Sequence, residues 1–451
     1  MEKTKSKANC SVDNIYKLDG RVPIAKAIPF GLQHILAMFV ANIAPIIIIA
    51  GASGLTGDEL AMLLQNCMFV AGIGTLIQLY PLWKVGARLP IVMGVSFTFV
   101  SILCFVGATF GYNAVVGAVI VGGIVEGTLG LFAKYWRKII SPVVAACVVT
   151  AIGFSLLNVG ANSFGGGVGA EDFGSAQNLL VGTFTLACCL LFNIFAKSFW
   201  KQLSVLFGLV MGYILSLCLG MVDFSGITST AIFSLPKFLP FMPEFNLSAI
   251  LSVVVIFLVS ATETIGDTSA MVVSGLDRDI KEEEIRGSLA CDGYSSSISG
   301  LFGCPPVTSF SQNVGLIAMT KVVNRFTIMT GAACMILCGL FPPLGAFFAT
   351  LPECVLGGCT VMMFGSIIVS GIQMLIRCGI NQRNTVIIAL SLGIGIGFTQ
   401  VPDIFRIFPE MVQQVLANNC VAVVFIIALV LNLVLPKNME VEKMTSKKDA
   451  E

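Results

Sequence analysis

Charged residues are rare in this sequence. Asp, Glu, Lys and Arg make up 11% of its 451 residues, whereas an average soluble protein has about 25%. Apolar residues account for 56%, and the mean hydropathy is +0.93. These values exclude an ordinary soluble domain and predict a membrane protein with many spans, because a helix of roughly 20 residues crosses a bilayer. The net charge of +1 argues against a nucleic acid partner.

Histidine is also rare, and the cysteines do not have the spacing of metal ligands. His34 is the single histidine, and the 15 cysteines are scattered through apolar stretches, as small buried side chains are. A membrane enzyme needs a nucleophile beside a base or a set of metal ligands, and the sequence has no HExxH-like spacing. We therefore predict no enzymatic activity, no metal and no cofactor.

Fourteen apolar segments are predicted, and they place nearly every basic cluster on one side of the membrane. By the positive-inside rule that side is cytoplasmic, so the tails at residues 1–28 and 437–451 both face the cytoplasm. The Gly-rich stretch 160–174 has no Lys or Arg and is expected outside. The segments lie at residues 30–50, 60–80, 89–105, 115–132, 142–157, 179–195, 203–222, 249–273, 288–301, 307–320, 326–340, 352–372, 385–398 and 412–434.

The segments form two halves of seven that match in kind. The third (89–105) and the tenth (307–320) both combine Pro, a β-branched run, a small or polar residue and a short apolar stretch. Each is predicted as a short strand leading into a half-helix. Because seven is odd, the two halves have opposite orientations. Paired interrupted segments point to the binding site of a transporter; two Pro-kinked helices without function are the alternative.

Three acidic residues lie at membrane depth, where ionisable groups are functional candidates. Glu263 and Asp267 are four residues apart and therefore share one helix face. Two carboxylates held in this way can exchange a proton at physiological pH; the alternative is a structural pair bonded to neighbouring backbone. Asp292 either relays protons or braces the ninth segment against the tenth.

Two carboxamides open the predicted half-helix of the tenth segment. Gln312 and Asn313 each offer one acceptor and two donors, which suits the edge of a planar heterocycle. The backbone N–H groups at the start of the half-helix add further donors. Asn313 serves equally well as a helix cap.

Three residues outside the tenth segment are candidates near the same site. His34, beside Gln33 at the start of the first segment, is either a core histidine or a support close to the site. Phe97, which follows Ser96, offers a face on which a flat ring can stack, and core packing is the alternative.

The tenth segment resembles the signature of the nucleobase–ascorbate transporters. Residues 312–321, QNVGLIAMTK, match the pattern QNxGxxxxT followed by Arg, Lys or Gly, with Gly315 and Thr320 at its fixed positions. Further stretches are similar to motifs of that family in the same order, over essentially the whole chain: Gln33-His34, the ETIGD box at 263–267, and Asp292.

The resemblance implies an all-α fold of fourteen segments in two inverted repeats, with short antiparallel strands in segments three and ten. A core domain (29–138 and 246–342) would move against a gate domain (139–245 and 343–436). Members are typically homodimers in the cell membrane, and most are proton symporters, so the coupling ion would be H⁺.

The resemblance also implies roles for individual residues. Glu263 would bind the base ring, Gln312 would be the second side-chain anchor, and Ser96 and Phe97 would close the pocket beside Asn313. Asp267 and Asp292 would either couple proton movement to transport or hold the site together. The supporting residues would be His34, Gln33, Gly315 and Thr320.

The substrate implied is a purine. Uracil-type members carry an acidic residue at the position of Gln312 and usually His at that of Asp267, whereas purine-type members carry Gln and Asp. The chain therefore resembles a xanthine or uric acid permease, although some xanthine members carry Asn where Ser96 lies. Three alternatives stay open: a uracil permease, an anion transporter of related architecture, and a passive channel. The buried carboxylates count against the last two, because neither an anion transporter nor a passive channel needs them.

Overall fold

The computed structural model describes residues 11–136, 141–197, 199–224, 232–417 and 419–436. The chain is mostly helical. A 3-10 helix at Val12–Tyr16 precedes the elements of the first half, which are α1 (Ile24–Ala52), α2 (Asp58–Leu79), β1 (Met93–Val95), a 3-10 turn (Phe97–Phe99), α3 (Val100–Phe110), α4 (Tyr112–Leu131), α5 (Ala133–Trp136), α6 (Pro142–Phe164), α7 (Ala176–Phe195), α8 (Phe199–Gln202) and α9 (Ser204–Cys218).

The second half has the same mixture of long helices and one short strand. Its elements are α10 (Leu247–Leu276), α11 (Glu282–Leu301), β2 (Val307–Ser309), α12 (Ser311–Thr320), α13 (Arg325–Gly339), α14 (Pro342–Ala349), α15 (Glu353–Arg377), α16 (Gln382–Thr399), a 3-10 turn (Pro402–Phe405), α17 (Glu410–Leu416) and α18 (Cys420–Val434).

Several of these helices can cross a bilayer. Among the described residues, seven are long and apolar enough on their own, namely α1, α2, α4, α6, α7, α10 and α15. Helices α13 and α14 together are also apolar and long enough, and because they meet at a bend of 78° they form either a broken span or a re-entrant loop. Shorter apolar helices are α9, α18 and the stretch Phe97–Phe110 that contains α3. The chain is thus built for several membrane crossings, and the count of fourteen stays a prediction.

The two predicted strands are present and pair with each other. β1 and β2 are antiparallel, and all their residues are buried. Irregular backbone at membrane depth survives only inside protein or along a cavity, and this pair meets that condition. The strands lead directly into α3 and α12. Their register is Met93 with Ser309, Gly94 with Thr308 and Val95 with Val307.

Side chains of three helices satisfy the outer edges of this small sheet. On β1, the N–H of Met93 donates to Thr75 Oγ1 (2.9 Å), and that of Val95 donates to Asn42 Oδ1 (2.8 Å). On β2, the N–H groups of residues 307 and 309 donate to Ser296 Oγ (3.2 Å) and Asp292 Oδ2 (2.9 Å). These acceptors come from α2, α1 and α11, so no edge N–H of the described strands relies on water.

Close packing around the sheet depends on glycine. A Cβ atom at Gly94 would lie 2.6 Å from Met38 Cε and 2.8 Å from both Asn42 Oδ1 and the Phe310 ring. Between α4 and α11, a Cβ at Gly293 would lie 2.0 Å from the backbone N of Gly127. The backbones can approach this closely because glycine has no side chain.

The helices pack in two neighbourhoods, and the strand pair belongs to the first of them, where it contacts α1, α2, α10 and α11. In one, α4 packs against α11 and α10, and α13 packs against α2 and α1. In the other, α6 packs against α15, α16 against α18, and α7 against α9. The cavity described below lies where these neighbourhoods meet.

The predicted N-terminal tail, residues 1–28, is partly folded. Helix α1 already begins at Ile24, and the segment before it is held against the start of α13. The Nδ2 atom of Asn324 donates to the carbonyls of residues 14, 17 and 20 at 2.9, 3.0 and 3.1 Å, and Arg325 pairs with Asp19. A small apolar cluster that includes Ile15, Val22 and Val322 packs there as well, so buried apolar side chains and the Asn324 carboxamide together hold this segment.

The end of the chain also differs from the prediction. The last segment, expected at 412–434, is divided into α17 and α18, because the side chain of Asn419 accepts from Ala422 N (3.0 Å) and caps a new helix there. Helix α14 was not predicted, and it begins at a Pro pair, where a helix readily starts. The tail predicted at 437–451 lies outside the described residues.

Candidate functional site

A cavity of about 500 Å³ lies between α1, the strand pair, α10 and α12 on one side and α6, α9 and α15 on the other. That volume suits a small molecule, since ligand pockets measure about 300–1,000 Å³. The wall facing the strands carries Asn193, Lys201, Ser204, Ser366 and Ser370 among apolar residues. Polar groups on the strand side are Ser96, Thr98, Glu263, Ser309, Ser311 and Gln312.

Glu263 lines this cavity from α10 and is held in place by a hydroxyl. Its Oε2 atom accepts a hydrogen bond of 2.6 Å from Thr98 Oγ1, in the turn after β1. The Ser311 hydroxyl lies between the carboxylates of Glu263 and Asp267. The arrangement fixes one carboxylate oxygen and presents the carboxyl group to the cavity as an acceptor.

Gln312 lines the same cavity from the first turn of α12. Its side chain is exposed to the cavity and makes no hydrogen bond within the described part of the chain. The structure therefore brings Glu263 and Gln312 to one space, and the carboxamide keeps its acceptor and both donors for a ligand.

Ser96 and Phe97 close the cavity at the end of β1. Ser96 N donates to Pro306 O (3.1 Å), and Ser96 Oγ accepts from Thr98 N (3.3 Å). The Phe97 ring packs edge-on against Phe364 of α15, with 5.4 Å between ring centroids and 82° between planes. The ring of Phe97 thus remains in the lining, where a flat ligand can contact it.

Asp267 lies one turn beyond Glu263 and is bonded to β2 and the start of α12. Its Oδ2 atom accepts from Ser311 Oγ at 2.8 Å and from Ser309 Oγ at 3.3 Å. It is not part of the cavity lining. The predicted pair of carboxylates on one helix face is therefore present, with only Glu263 directed at the cavity.

Asp292 is completely buried and does not line the cavity. Its Oδ1 atom accepts from Gln78 Nε2 (3.0 Å), and its Oδ2 atom accepts from Thr264 Oγ1 (2.6 Å) and Ser309 N (2.9 Å). These donors belong to α2, α10 and β2. Of the two roles open to Asp292 at the sequence level, this geometry matches the brace.

Asn313 and His34 lie beside the cavity rather than in it. Successive helix residues are about 100° apart, so Asn313 faces α1 while Gln312 faces the cavity. Asn313 Nδ2 donates to the His34 carbonyl at 3.3 Å, and both side chains are buried. Gln33 is half-buried and likewise absent from the lining.

The two remaining signature residues shape α12. Thr320 Oγ1 donates to Leu316 O (2.9 Å) and accepts from Val322 N (3.3 Å), so it closes the last turn of the helix. A Cβ added at Gly315 would meet no atom within 4 Å, so packing in this conformation does not require the glycine. Neither residue lines the cavity.

Three hydroxyl residues of the site were missed at the sequence level. Thr98 holds Glu263, while Ser309 and Ser311 hold Asp267. The spacing Ser-x-Ser directly before Gln312 was a usable signal, because alternate residues of an extended stretch point the same way. Thr98 had no comparable signal.

Comparison with known proteins identifies the family. A model of a permease family matches residues 25–404. The chain belongs to the nucleobase–ascorbate transporter family. It is 35% identical over 447 residues to a putative purine permease of Clostridium perfringens, covering 98% of each chain. It is 34% identical over 440 residues to the xanthine permease XanQ of Escherichia coli K12, covering 94% of each.

A third relative agrees with this assignment, and two solved structures share the fold. The xanthine permease of Bacillus subtilis is 34% identical over 413 residues, which is 91% of this chain and 93% of the relative. The transmembrane domain of the cyanobacterial bicarbonate transporter BicA superposes with a TM-score of 0.56 at 15% identity, covering 90% of this chain and 98% of that one. SLC26A9 gives 0.57 at 13% identity, covering 90% and 66%. The chain is thus a multi-pass membrane transporter, and its likeness to the two solved structures concerns the fold alone.

Proposed function

We propose that this nucleobase–ascorbate transporter is a proton-coupled symporter that imports a purine base, xanthine or uric acid or both, across the cytoplasmic membrane. The observation that carries the proposal is the shared cavity of Glu263 and Gln312, beside two hydrogen-bonded strands. The sequence relatives that are called xanthine permeases support the choice of a purine.

Recognition follows from the donors and acceptors in the lining. The Glu263 carboxylate accepts from ring N–H groups, and the Gln312 carboxamide bonds to an edge that offers both a donor and an acceptor. Phe97 contacts the face of the ring, and backbone at Ser96 closes the pocket. A uracil permease of the same family is the alternative, and the experiment below separates the two.

Coupling is assigned to the carboxyl groups next to the bound base. Asp267 shares the Ser311 hydroxyl with Glu263, so the protonation of one affects the other. Asp292 holds β2 to α10 and α2. Because one oxygen of Asp292 accepts from both Thr264 Oγ1 and Ser309 N, a movement of Thr264 is transmitted to β2. Proton binding and substrate binding therefore both change the hydrogen bonds of Glu263, Asp267 and Asp292.

Transport would proceed by elevator-like movement of a core domain (29–138 and 246–342) against a gate domain (139–245 and 343–436). The position of the cavity between the two helix neighbourhoods supports this division. The proposal includes fourteen segments in two inverted repeats, both termini in the cytoplasm, and a homodimer.

The test is uptake of radiolabelled xanthine and urate by cells that lack their own permeases, with and without a protonophore. We expect saturable uptake that the protonophore abolishes and that unlabelled xanthine, but not uracil, competes. Competition by uracil alone would favour the alternative, and unsaturable flux would indicate a channel. A second test in the same cells concerns the proposed role of Glu263. The variant Glu263→Gln should abolish uptake with the protein still in the membrane, whereas the exposed control Glu59→Gln should transport normally.

A further inference from the structure

A fourth buried acid lies outside the candidate site. Glu126, on α4, is 1% exposed, and neither of its carboxyl oxygens has a hydrogen-bond partner in the described residues. The facing Ser260 hydroxyl of α10 is likewise 1% exposed, and it acts on the Glu126 carboxyl although the pair lacks the geometry of a full hydrogen bond. None of the salt bridges in this part of the chain includes Glu126.

The surroundings of Glu126 are tightly packed. A Cβ at Gly122 would lie 2.3 Å from the Phe257 ring of α10, and one at Gly123 would lie 2.5 Å from Ser297 Oγ of α11. The charged groups that act on Glu126 are Glu263 and Asp292, both acidic. Helix α3, which also packs against α4, carries no charged side chain.

Glu126 and Asp292 are buried carboxyls with opposite surroundings. Asp292 accepts from three donors, which suits an anion. An ionised Glu126 would have one neutral hydroxyl, Ser260, as its donor, no cation and two acidic neighbours, and several kcal/mol is the usual cost of burying such a charge. These surroundings therefore favour the neutral, protonated form of Glu126 in this conformation.

A purely structural role does not account for this residue. A buried acid that completes no hydrogen bond stabilises the fold no better than an apolar side chain of the same shape. The position of Glu126 does connect it to the site, because Ser260, which faces it, precedes Glu263 by one turn of α10.

We propose that Glu126 is a further proton-binding residue of the transport cycle and exchanges its proton with Glu263 through the Ser260 hydroxyl. In this step Glu263 gives its proton to the Ser260 oxygen, and Ser260 gives its own proton to Glu126. The step starts from an ionised Glu126 and a protonated Glu263, and the present conformation corresponds to its product, with Glu126 neutral and Glu263 the anion that binds the base. The inference rests on the proposed function, since it assumes a proton-coupled cycle.

The test uses the full-length protein in liposomes, as wild type, Glu126→Gln, Ser260→Ala and the exposed control Glu59→Gln. Two quantities are measured for xanthine: exchange without a pH gradient, and accumulation driven by an imposed gradient. We expect Glu126→Gln to keep exchange but to lose about tenfold in accumulation for each unit of gradient, the contribution of one coupled proton. Ser260→Ala should keep exchange and slow the gradient-driven phase.

Unchanged accumulation and an unchanged pH profile in Glu126→Gln would overturn the inference and leave Glu126 a structural acid. If that variant does not fold, infrared difference spectra of wild type and Ser260→Ala decide. A carboxylic acid band that responds to xanthine in wild type and not in Ser260→Ala supports the exchange, and a band that never responds refutes it. Wild-type uptake that ignores the gradient would instead refute the proposed function.

Discussion

The bond between Thr98 and Glu263 gives the sharpest prediction about substrate affinity. Replacing Thr98 by Val keeps the shape of the side chain and removes the 2.6 Å hydrogen bond to Glu263 Oε2. The backbone bond from residue 98 to Ser96 is unaffected. Because a hydrogen bond to a charged group contributes about 1.5–3 kcal/mol, and 1.4 kcal/mol is a factor of ten, we expect a roughly 10- to 100-fold rise in KM for xanthine.

The assay is initial-rate uptake over a range of xanthine concentrations, normalised to protein in the membrane. Thr128→Val is the matched control, since the Thr128 hydroxyl bonds to the carbonyl of Ile124 in its own helix and is not part of the cavity lining. The control should leave KM unchanged. An unaltered KM in Thr98→Val, with normal protein levels, would show that Glu263 does not depend on this hydroxyl for binding.

Two further predictions concern the carboxamides. Gln312→Ala should raise KM for xanthine about tenfold, because it removes two neutral hydrogen bonds of about 0.5–1.5 kcal/mol each; unchanged KM would remove Gln312 from the binding site. Asn324→Ala should lower the melting temperature of the purified protein, because three carbonyls of the N-terminal segment lose their donor, while KM stays the same. A melting temperature equal to that of wild type would mean that this segment does not stabilise the fold.

Local sequence patterns were enough to predict the strands and the two central side chains. Pro followed by β-branched residues marked β1 and β2, and the carboxamides before an apolar stretch marked the start of α12. The carboxylate in the apolar run of α10 was equally visible. These features depend on a few neighbouring residues, so the sequence shows them directly.

Features that depend on distant contacts could not be predicted in this way. Thr98 and Glu263 are 165 positions apart, and nothing around Thr98 marks it as a hydrogen-bond donor to an acid. Gln312 and Asn313 are adjacent in α12 and point in different directions. Only the packing of α12 against α1 shows that Asn313 faces α1 and Gln312 faces the cavity. Glu126 was overlooked because it is a single acid in a segment whose other residues fit a lipid-spanning helix.

The domain division and the inverted repeat remain predictions, although the described residues include one strand in each half. A repeat relates whole segments, whereas the pairing of β1 with β2 involves only six residues. Trapping the transporter in two states with engineered cross-links would test whether the proposed core moves as a unit.

The outer edges of the strand pair limit how cargo can be released. Four backbone N–H groups of β1 and β2 are tied to side chains of α1, α2 and α11. Pulling the strands away from these helices would leave these groups and their partners unsatisfied in a medium without water, at a cost of several kcal/mol for each. Release is therefore far easier if both strands travel with the three helices as one piece and the opposite wall of the cavity is left behind.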